Sequence, residues 1–268
     1  MSYDNILMDV ADGVATVTIN RPEKLNGLDI KTVSELIDAS QAIRDDPEIR
    51  ALILTGAGRG FSSGADLSGD SGASNAARGG SSKPDAGKVL ETHYNPLLEN
   101  LMALNVPVIT AVNGPAAGAG CSLALSGDFV ICAESAYFLQ AFVNIGLVPD
   151  VGSTWLLPRI IGRARALEMM MLGEKIPAQK ALDWGMAYKV VPDAELMDTA
   201  KTLAQRFAKG PTQAYALIRQ GVRDCLDGSL TDGLRTERNN QMHAGRTEDF
   251  REGVSAFLQK RKAEFKGR

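Results

Sequence analysis

The chain has 268 residues, 44% of them hydrophobic, and its 29 Lys and Arg residues against 32 Asp and Glu residues give a net charge of −3. This size suits one large domain or a domain with an appendage, and the interspersed charges argue against a nucleic-acid-binding surface. No apolar run reaches the ~18 residues of a membrane span, and the first ten residues lack a secretory-signal pattern, so we expect a cytoplasmic protein without membrane partners. Because the 3 cysteines lack paired spacing and there are only 2 histidines, we expect neither a disulfide framework nor a metal site.

The first 55 residues predict a β-β-α-β unit. Ile6–Val10 and Val14–Asn20 alternate in polarity around a turn that contains Gly13, which is typical of a β-hairpin. Asp29 is a suitable N-cap for a helix with one apolar face. The apolar run Ala51–Thr55 then predicts a buried strand.

A glycine-rich segment, GAGRGFSSGADL, follows that strand. Its glycines allow sharp turns that leave backbone N–H groups free to face a ligand. Gly60–Gly64 also matches G-x-S-x-G, the nucleophile elbow of hydrolases. We reject a hydrolase because Leu67 leads into polar residues rather than an apolar helix, and because His93 and His243 are poorly placed for a catalytic triad.

The residues from Ser68 to Lys88 are polar and rich in Gly and Ser. A loop of this length predicts either a lid beside a substrate site or a tolerated insertion. Val89–Leu104 returns to helical spacing, and Pro96 inside it predicts a kink.

The stretch Val106–Asp128 reads as strand, tight turn and helix, with Ala116–Leu125 as the helix. Gly118, Ala119 and Gly120 lie where the helix begins, so the first N–H groups, which have no intrahelical partner, are unshielded by bulky side chains. This arrangement favours binding of an anionic oxygen. The alternative is that the glycines only allow close helix packing.

Asp150 follows Pro149 and precedes a helix that is predicted to start near Gly152. An aspartate at this place can be a helix N-cap. Alternatively, it is a lone carboxylate in an apolar setting, where loss of hydration raises its pKa toward that of a proton shuttle. The apolar neighbours expected around it are Phe142, Ile145, Leu147, Val148 and Val151.

From Ile160 onward the chain is predicted to be mainly helical, with a short strand at Ala187–Val191. The candidate helices are Ala164–Leu172, Ala178–Trp184, Ala194–Ala208, Thr212–Leu226, Thr231–His243 and Glu248–Lys262.

The two glycine-lined donor segments and the GLVPD sequence around Asp150 together resemble the crotonase (enoyl-CoA hydratase/isomerase) superfamily. The likeness extends over nearly the whole chain. It implies an α/β fold, a crotonase-like spiral of ββα units at residues 1–200, followed by a helical C-terminal trimerisation region at residues 201–268. It also implies a homotrimer or a dimer of trimers.

The same resemblance implies an acyl-CoA substrate whose thioester carbonyl accepts hydrogen bonds from the N–H groups of Ala65 and Ala119. It also implies that coenzyme A is part of the substrate and that no separate cofactor is needed. By this resemblance we expect substrate contacts from Lys24, Leu25, Ser63, Asp66, Leu67, Ser68, Gly118 and Phe142. Lys262 and Lys266 are expected near the coenzyme A phosphates.

Hydratases of this family carry two glutamates that position water, and the matching positions here are Ser122 and Phe142. Since neither side chain is a carboxylate, the sequence favours an isomerase in which Asp150 moves the proton. The phrases YNPL and GLVPD look most like ring-1,2-epoxyphenylacetyl-CoA isomerases, which also shift enoyl-CoA double bonds. The alternatives are an enoyl-CoA hydratase and a non-catalytic acyl-CoA-binding protein of the same fold.

Overall fold

The computed structural model describes residues 3–67, 85 and 87–268. The N-terminal hairpin is confirmed: strands β1 (Ile6–Ala11) and β2 (Val14–Ile19) pair antiparallel. Helix α1 (Ile30–Asp45) begins as expected after Asp29, whose carboxylate accepts a hydrogen bond of 2.7 Å from the Thr32 N–H. Strand β3 (Ala51–Gly56) completes the predicted unit.

Six of the described strands form one sheet in the order β1-β2-β3-β4-β6-β9. Its remaining members are β4 (Val108–Val112), β6 (Phe129–Ala133) and β9 (Lys189–Val191), and every pair after the hairpin is parallel. Parallel strands place their carboxyl ends at one edge of the sheet. The loops that follow β3 and β4 therefore lie next to each other.

A second, smaller sheet is formed by β5 (Pro115–Ala117), β7 (Tyr137–Leu139) and β8 (Ile176–Pro177). Strand β5 corrects one expectation, because residues predicted as the start of a helix are extended and pair with β7. The helix itself, α3, runs only from Ala119 to Leu125.

The helical segment before β4 has three successive parts: Gly87–Val89, a π-helical turn at Leu90–Tyr94, and helix α2 (Asn95–Met102). Pro96 lies in the first turn of α2, where the missing N–H costs nothing. The observed irregularity is the π-helical turn before Pro96, and the kink predicted at Pro96 itself stays a prediction. The predicted flap at Ser68–Lys88 falls largely outside the described residues.

The remaining helices are α4 (Ser153–Leu172), α5 (Ala178–Asp183), α6 (Leu196–Ala208), α7 (Thr212–Cys225), α8 (Leu230–Ala244) and α9 (Glu248–Leu258). Helix α4 joins the helix predicted to start near Gly152 to the one predicted at Ala164–Leu172, with non-helical backbone angles at Gly162 between them. The helices after α4 follow the predicted order, with limits that differ by no more than four residues.

Helix α6 covers the large sheet with buried Ala200, Ala204 and Ala208, and it spans the predicted boundary at residue 200. Helices α7 and α8 pack on each other but bury no residue fully within this chain. No helix among the described residues is both long and apolar enough to span a membrane.

Candidate active site

The loop after β3 presents the Ala65 N–H without an acceptor. Leu28 pairs with this loop on both sides of Ala65: its N–H donates to the Gly64 carbonyl at 2.8 Å, and its carbonyl accepts from Asp66 N–H at 3.0 Å. A parallel bridge of this kind uses the groups before and after the central residue, so the N–H of Ala65 points away from Leu28. Within the described part of the chain no hydrogen bond uses that N–H.

Charged side chains that are largely buried fix the position of this loop. The guanidinium of Arg21 lies 2.9 Å from the Asp66 carboxylate and 3.1 Å from that of Asp29. The side chains of Arg21 and Asp66 are only 11% and 9% exposed, so the attraction between them is weakly screened by water. Asp66 therefore holds the Ala65 loop through Arg21.

Ala119 supplies a second free donor close to the first. It is the first residue of α3, and its N–H makes no hydrogen bond within the described residues. A Cβ added to Gly64 would lie 3.2 Å from the Ala119 nitrogen, which shows how closely the two segments approach. Gly120 also serves this approach, because a Cβ there would lie 2.5 Å from the Ser62 carbonyl oxygen. The close packing predicted for these glycines is therefore confirmed, and the binding of an anionic oxygen by the free amides stays a prediction.

Asp150 lies in a turn before α4, but it does not cap the helix. Gly152 occupies the N-cap position, and no side-chain cap is made. The Asp150 Oδ1 atom is buried and has no hydrogen-bond partner in the described structure. Burial raises the pKa of this carboxyl from 3.8 to about 7, as expected for a carboxylate that loses hydration without gaining a cation.

The apolar setting of Asp150 differs from the expectation. Phe142 and Val151 are buried, but Ile145, Leu147 and Val148 are 58%, 40% and 77% exposed in this chain. Three of the five expected apolar neighbours are therefore largely exposed to solvent in this chain. They lie on a short 3₁₀ helix (Ala141–Ile145) and the loop after it.

Asp150 is hydrogen-bonded to one donor segment and interacts electrostatically with Tyr94, which is hydrogen-bonded near the other. Tyr94, at the end of the π turn, donates its hydroxyl proton to the Leu28 carbonyl at 2.7 Å. The pKa of Tyr94 is raised by burial first and then by the nearby carboxylates of Asp150, Asp29 and Asp66. On the other side, the Ser122 hydroxyl donates to the Asp150 carbonyl oxygen at 3.1 Å. Because Ser122 belongs to α3, Asp150 is tied to the helix that begins at Ala119.

Among the described residues, no cluster of three His, Cys, Asp or Glu side chains is arranged to bind a metal ion. The candidate site brings together two backbone donors and a carboxyl group with a raised pKa. Such a set can stabilise an oxyanion while it moves a proton.

Comparison with known proteins decides the family. The model described as Enoyl-CoA hydratase/isomerase matches residues 9–268. The chain belongs to the enoyl-CoA hydratase/isomerase family. A 1,2-epoxyphenylacetyl-CoA isomerase of Escherichia coli (strain K12) is 48% identical over 263 residues, 98% of each chain. A protein of Rhodobacter capsulatus named as a probable enoyl-CoA hydratase is 42% identical over 268 residues, and the match covers 100% of each chain.

Solved structures agree with this assignment and confirm the fold class. A structure from Mycobacterium abscessus, assigned to enoyl-CoA hydratase/isomerase, has a TM-score of 0.92 and 37% identity, and the match covers 98% of this chain and 100% of that one. An enoyl-CoA hydratase from Bacillus anthracis has a TM-score of 0.90 and 32% identity, with coverage of 99% and 100%. This family consists of enzymes, and the present chain is one of them.

The residues expected to contact substrate by resemblance to the family occupy different environments. Ser63 joins the loop of Lys24 and Leu25, because its N–H donates to the Leu25 carbonyl at 2.9 Å. Lys24 and Leu67 are each 47% exposed. Asp66 is instead largely buried against Arg21, and Ser68 lies outside the described residues.

Phe142 and Gly118 lie next to each other at the second donor. A Cβ added to Gly118 would lie 3.8 Å from the Phe142 ring, so this ring forms an apolar wall beside the Ala119 segment. Lys262 and Lys266 belong to a C-terminal segment that is held by Asp249. Their role near coenzyme A stays a prediction.

Sequence reasoning missed several polar residues of the site. Arg21 has no predicted role, and Tyr94 enters the sequence analysis only as part of the YNPL phrase. Gln140 and Ser153 carried no signal, because their importance comes from contacts with residues far away in the sequence.

Proposed function

We propose that this enzyme is an acyl-CoA isomerase, which shifts a double bond in an enoyl-CoA or opens the epoxide of a ring-epoxidised phenylacetyl-CoA. The observation that supports the proposal is the Asp150 carboxyl group, whose Oδ1 atom is buried without a hydrogen-bond partner in the described structure and whose pKa is raised to about 7. The Asp150 carbonyl also accepts a hydrogen bond from Ser122 of α3, the helix that begins at Ala119. The 48% identity to an isomerase supports the same reaction class.

For a 3-enoyl thioester, the reaction balances with one carboxylate. Asp150 accepts the proton from C2, the electrons of that C–H bond form the C1=C2 double bond of a dienolate in which C3=C4 remains, and the carbonyl π electrons move to the oxygen. The negative charge reaches the thioester oxygen, which accepts hydrogen bonds from the N–H groups of Ala65 and Ala119. Asp150 then returns the proton to C4, and a 2-enoyl thioester results.

The backbone donors supply most of the stabilisation in this scheme. A single preorganised donor to an oxyanion contributes about 2.7–4 kcal/mol to barrier lowering. The charge on the oxygen exists only in the enolate-like state, so these contacts act on the rate more than on substrate binding.

Isomerisation is favoured over hydration by the residues at positions 122 and 142. Adding water to a double bond needs both an activated water molecule and a proton donor. Ser122 and Phe142, where hydratases of the family carry glutamates, supply no carboxylate, and the Phe142 ring is buried. The 42% identity to a probable hydratase makes hydration the second candidate.

A panel of thioesters tests the proposal. The purified enzyme is assayed with 3-enoyl-CoA, 2-enoyl-CoA and ring-1,2-epoxyphenylacetyl-CoA, and products are separated by chromatography. We expect conversion of the 3-enoyl or epoxide ester to exceed hydration of the 2-enoyl ester. Predominant hydration would establish the hydratase instead, and thermal stabilisation by all esters without turnover of any would establish a binding protein.

A further inference from the structure

The main-chain carbonyl of Asp150 accepts two hydrogen bonds. The Ser153 N–H donates to it at 3.0 Å, and the Ser122 hydroxyl donates at 3.1 Å. Both serines are essentially buried. The backbone of Asp150 is therefore held by a residue of α3 and by the first residue of α4.

The two hydroxyls continue into a buried chain of hydrogen bonds. The Oγ atoms of Ser122 and Ser153 are 2.5 Å apart, and the Gln140 Nε2 donates to Ser153 Oγ at 2.9 Å. Either hydroxyl can be the donor between the two serines; when Ser122 gives its one proton to the Asp150 carbonyl, it accepts from Ser153, which in turn accepts from Gln140. Gln140 Nε2 also contacts Cys121 Sγ at 3.4 Å.

The backbone after Asp150 needs such support. Val151 has φ +47° although it is β-branched and buried, and the next residue, Gly152, has φ +72°. A non-glycine residue in this region costs about 1–3 kcal/mol and persists only where surrounding contacts hold it. The turn also packs on Leu98, since a Cβ at Gly152 would lie 2.4 Å from its Cδ2.

We propose that Gln140, Ser153 and Ser122 are positioning residues that hold the strained Asp150 turn, so that its carboxyl group stays buried beside the two amide donors. This inference rests on the proposed function and deepens it. It also gives Ser122 a role of its own: its hydroxyl binds the Asp150 backbone at the place where hydratases of the family have a glutamate. None of the three side chains needs to touch the reacting carbons.

Breaking the network should free the turn and return the carboxyl to water. Such a change lowers the pKa of Asp150 from about 7 toward 3.8, because burial is the cause of its elevation. Two ionisable groups of the described residues adjoin this network: Tyr94, whose pKa is raised partly by Asp150, and Cys121, whose pKa burial raises to about 12. Both groups have raised pKa values, so neither titration can be mistaken for that of Asp150.

The test compares Ser153→Ala and Gln140→Met with the control Ser126→Ala. Ser126 is a buried serine just after α3 whose hydroxyl donates only to the nearby Leu123 carbonyl at 2.7 Å. The carboxyl of Asp150 is titrated by NMR in the full-length protein labelled with ¹³C at aspartate carboxyls, with Asp150→Asn to assign its signal. The pH dependence of kcat and KM is measured on the same proteins.

We expect both network variants to titrate at a pH lower than wild type by about one unit or more, and the control to titrate like wild type. We also expect kcat to fall by about ten-fold or more while KM changes little, because positioning acts on the reaction step. Unchanged titration and unchanged kcat in both folded variants would overturn the inference. The NMR titration does not require turnover, so it decides on the network even if the proposed isomerase activity proves wrong.

Discussion

Gly64 and Ala119 belong to different loops, yet a side chain on the first would press on the second: a Cβ at Gly64 would lie 3.2 Å from the Ala119 nitrogen and 2.7 Å from the Ala117 carbonyl oxygen. Gly64 also has φ +91°. The two free amides are therefore adjacent only because residue 64 has no side chain.

Gly64→Ala should reduce kcat by about 10²-fold or more, because displacement of either donor weakens the hold on the enolate oxygen. The control is Gly146→Ala: Gly146 also has positive φ (+73°), but a Cβ there would meet nothing within 4 Å. Steady-state kinetics on both variants separate the effect of the steric clash at residue 64 from the effect of a side chain at positive φ. Wild-type turnover by Gly64→Ala would show that the close approach of the loops is not needed.

Arg21→Ala should destabilise the fold by about 3–5 kcal/mol, because it leaves the carboxylates of Asp66 and Asp29 without their buried guanidinium. The exposed pair of Arg235 and Asp232, with side chains 70% and 58% exposed, provides the matched control. Arg235→Ala should change the free energy of unfolding by no more than about 0.5 kcal/mol. Urea titrations of the three proteins measure the difference, and equal midpoints for Arg21→Ala and wild type would contradict the role given to Arg21.

Asp150 should make stability depend on pH in a defined direction. The pKa of Asp150 is about 7 in the folded protein and 3.8, its ordinary value, in the unfolded chain. Between pH 3.8 and 7, therefore, only the folded state keeps the proton. Stability associated with this group is fully present below pH 3.8 and is lost as pH rises through 7, by at most about 4 kcal/mol. The variant Asp150→Asn has no titrating group at this position, so its stability should not fall for this reason.

The free energy of unfolding of Asp150→Asn relative to wild type should therefore increase from pH 4 to pH 7 and stay constant above. Asp9→Asn, on an exposed part of β1, corrects for the loss of one negative charge. A difference between Asp150→Asn and wild type that does not vary with pH would contradict the raised pKa.

The C-terminal helices expose apolar side chains that a second copy of the chain would cover. Leu230 is 80% exposed, Phe257 82% and Leu258 74%, which is unusual for a monomer. We expect light scattering to give the mass of three or six chains, and Phe257→Asp to reduce it. Lys201→Asp changes a charge on the solvent-exposed face of α6 and should leave the mass unaltered. A monomeric wild-type protein would refute the trimer prediction.

Local patterns predicted the parts of the fold that depend on nearby residues. The hairpin, the Asp29 cap and the order of the helices follow from turn residues, capping chemistry and periodicity. Strand β5 was missed because its pairing with Tyr137–Leu139 is nonlocal, and a three-residue run of small residues has no pattern of its own.

The site was predictable only in part, for a related reason. The glycine-lined turns predicted a binding site for an anionic oxygen, and the lone aspartate predicted a proton carrier. The family resemblance indicated that both belong to one site. The hydrogen bond between Ser122 and the Asp150 carbonyl links residues 28 apart, and that of Tyr94 to Leu28 links residues 66 apart. The exposure of Val148 also depends on what packs against the chain from outside, which residue types do not encode.

The most direct test of the account follows a deuterium atom. A 3-enoyl-CoA labelled with deuterium at C2 is converted by wild type and by Asp150→Asn, while calorimetry checks that both bind the thioester. We predict that wild type moves part of the label to C4, and that Asp150→Asn binds the ester but is slower by about 10²–10⁴-fold. Conversion by Asp150→Asn at the wild-type rate would contradict the claim that Asp150 carries the proton.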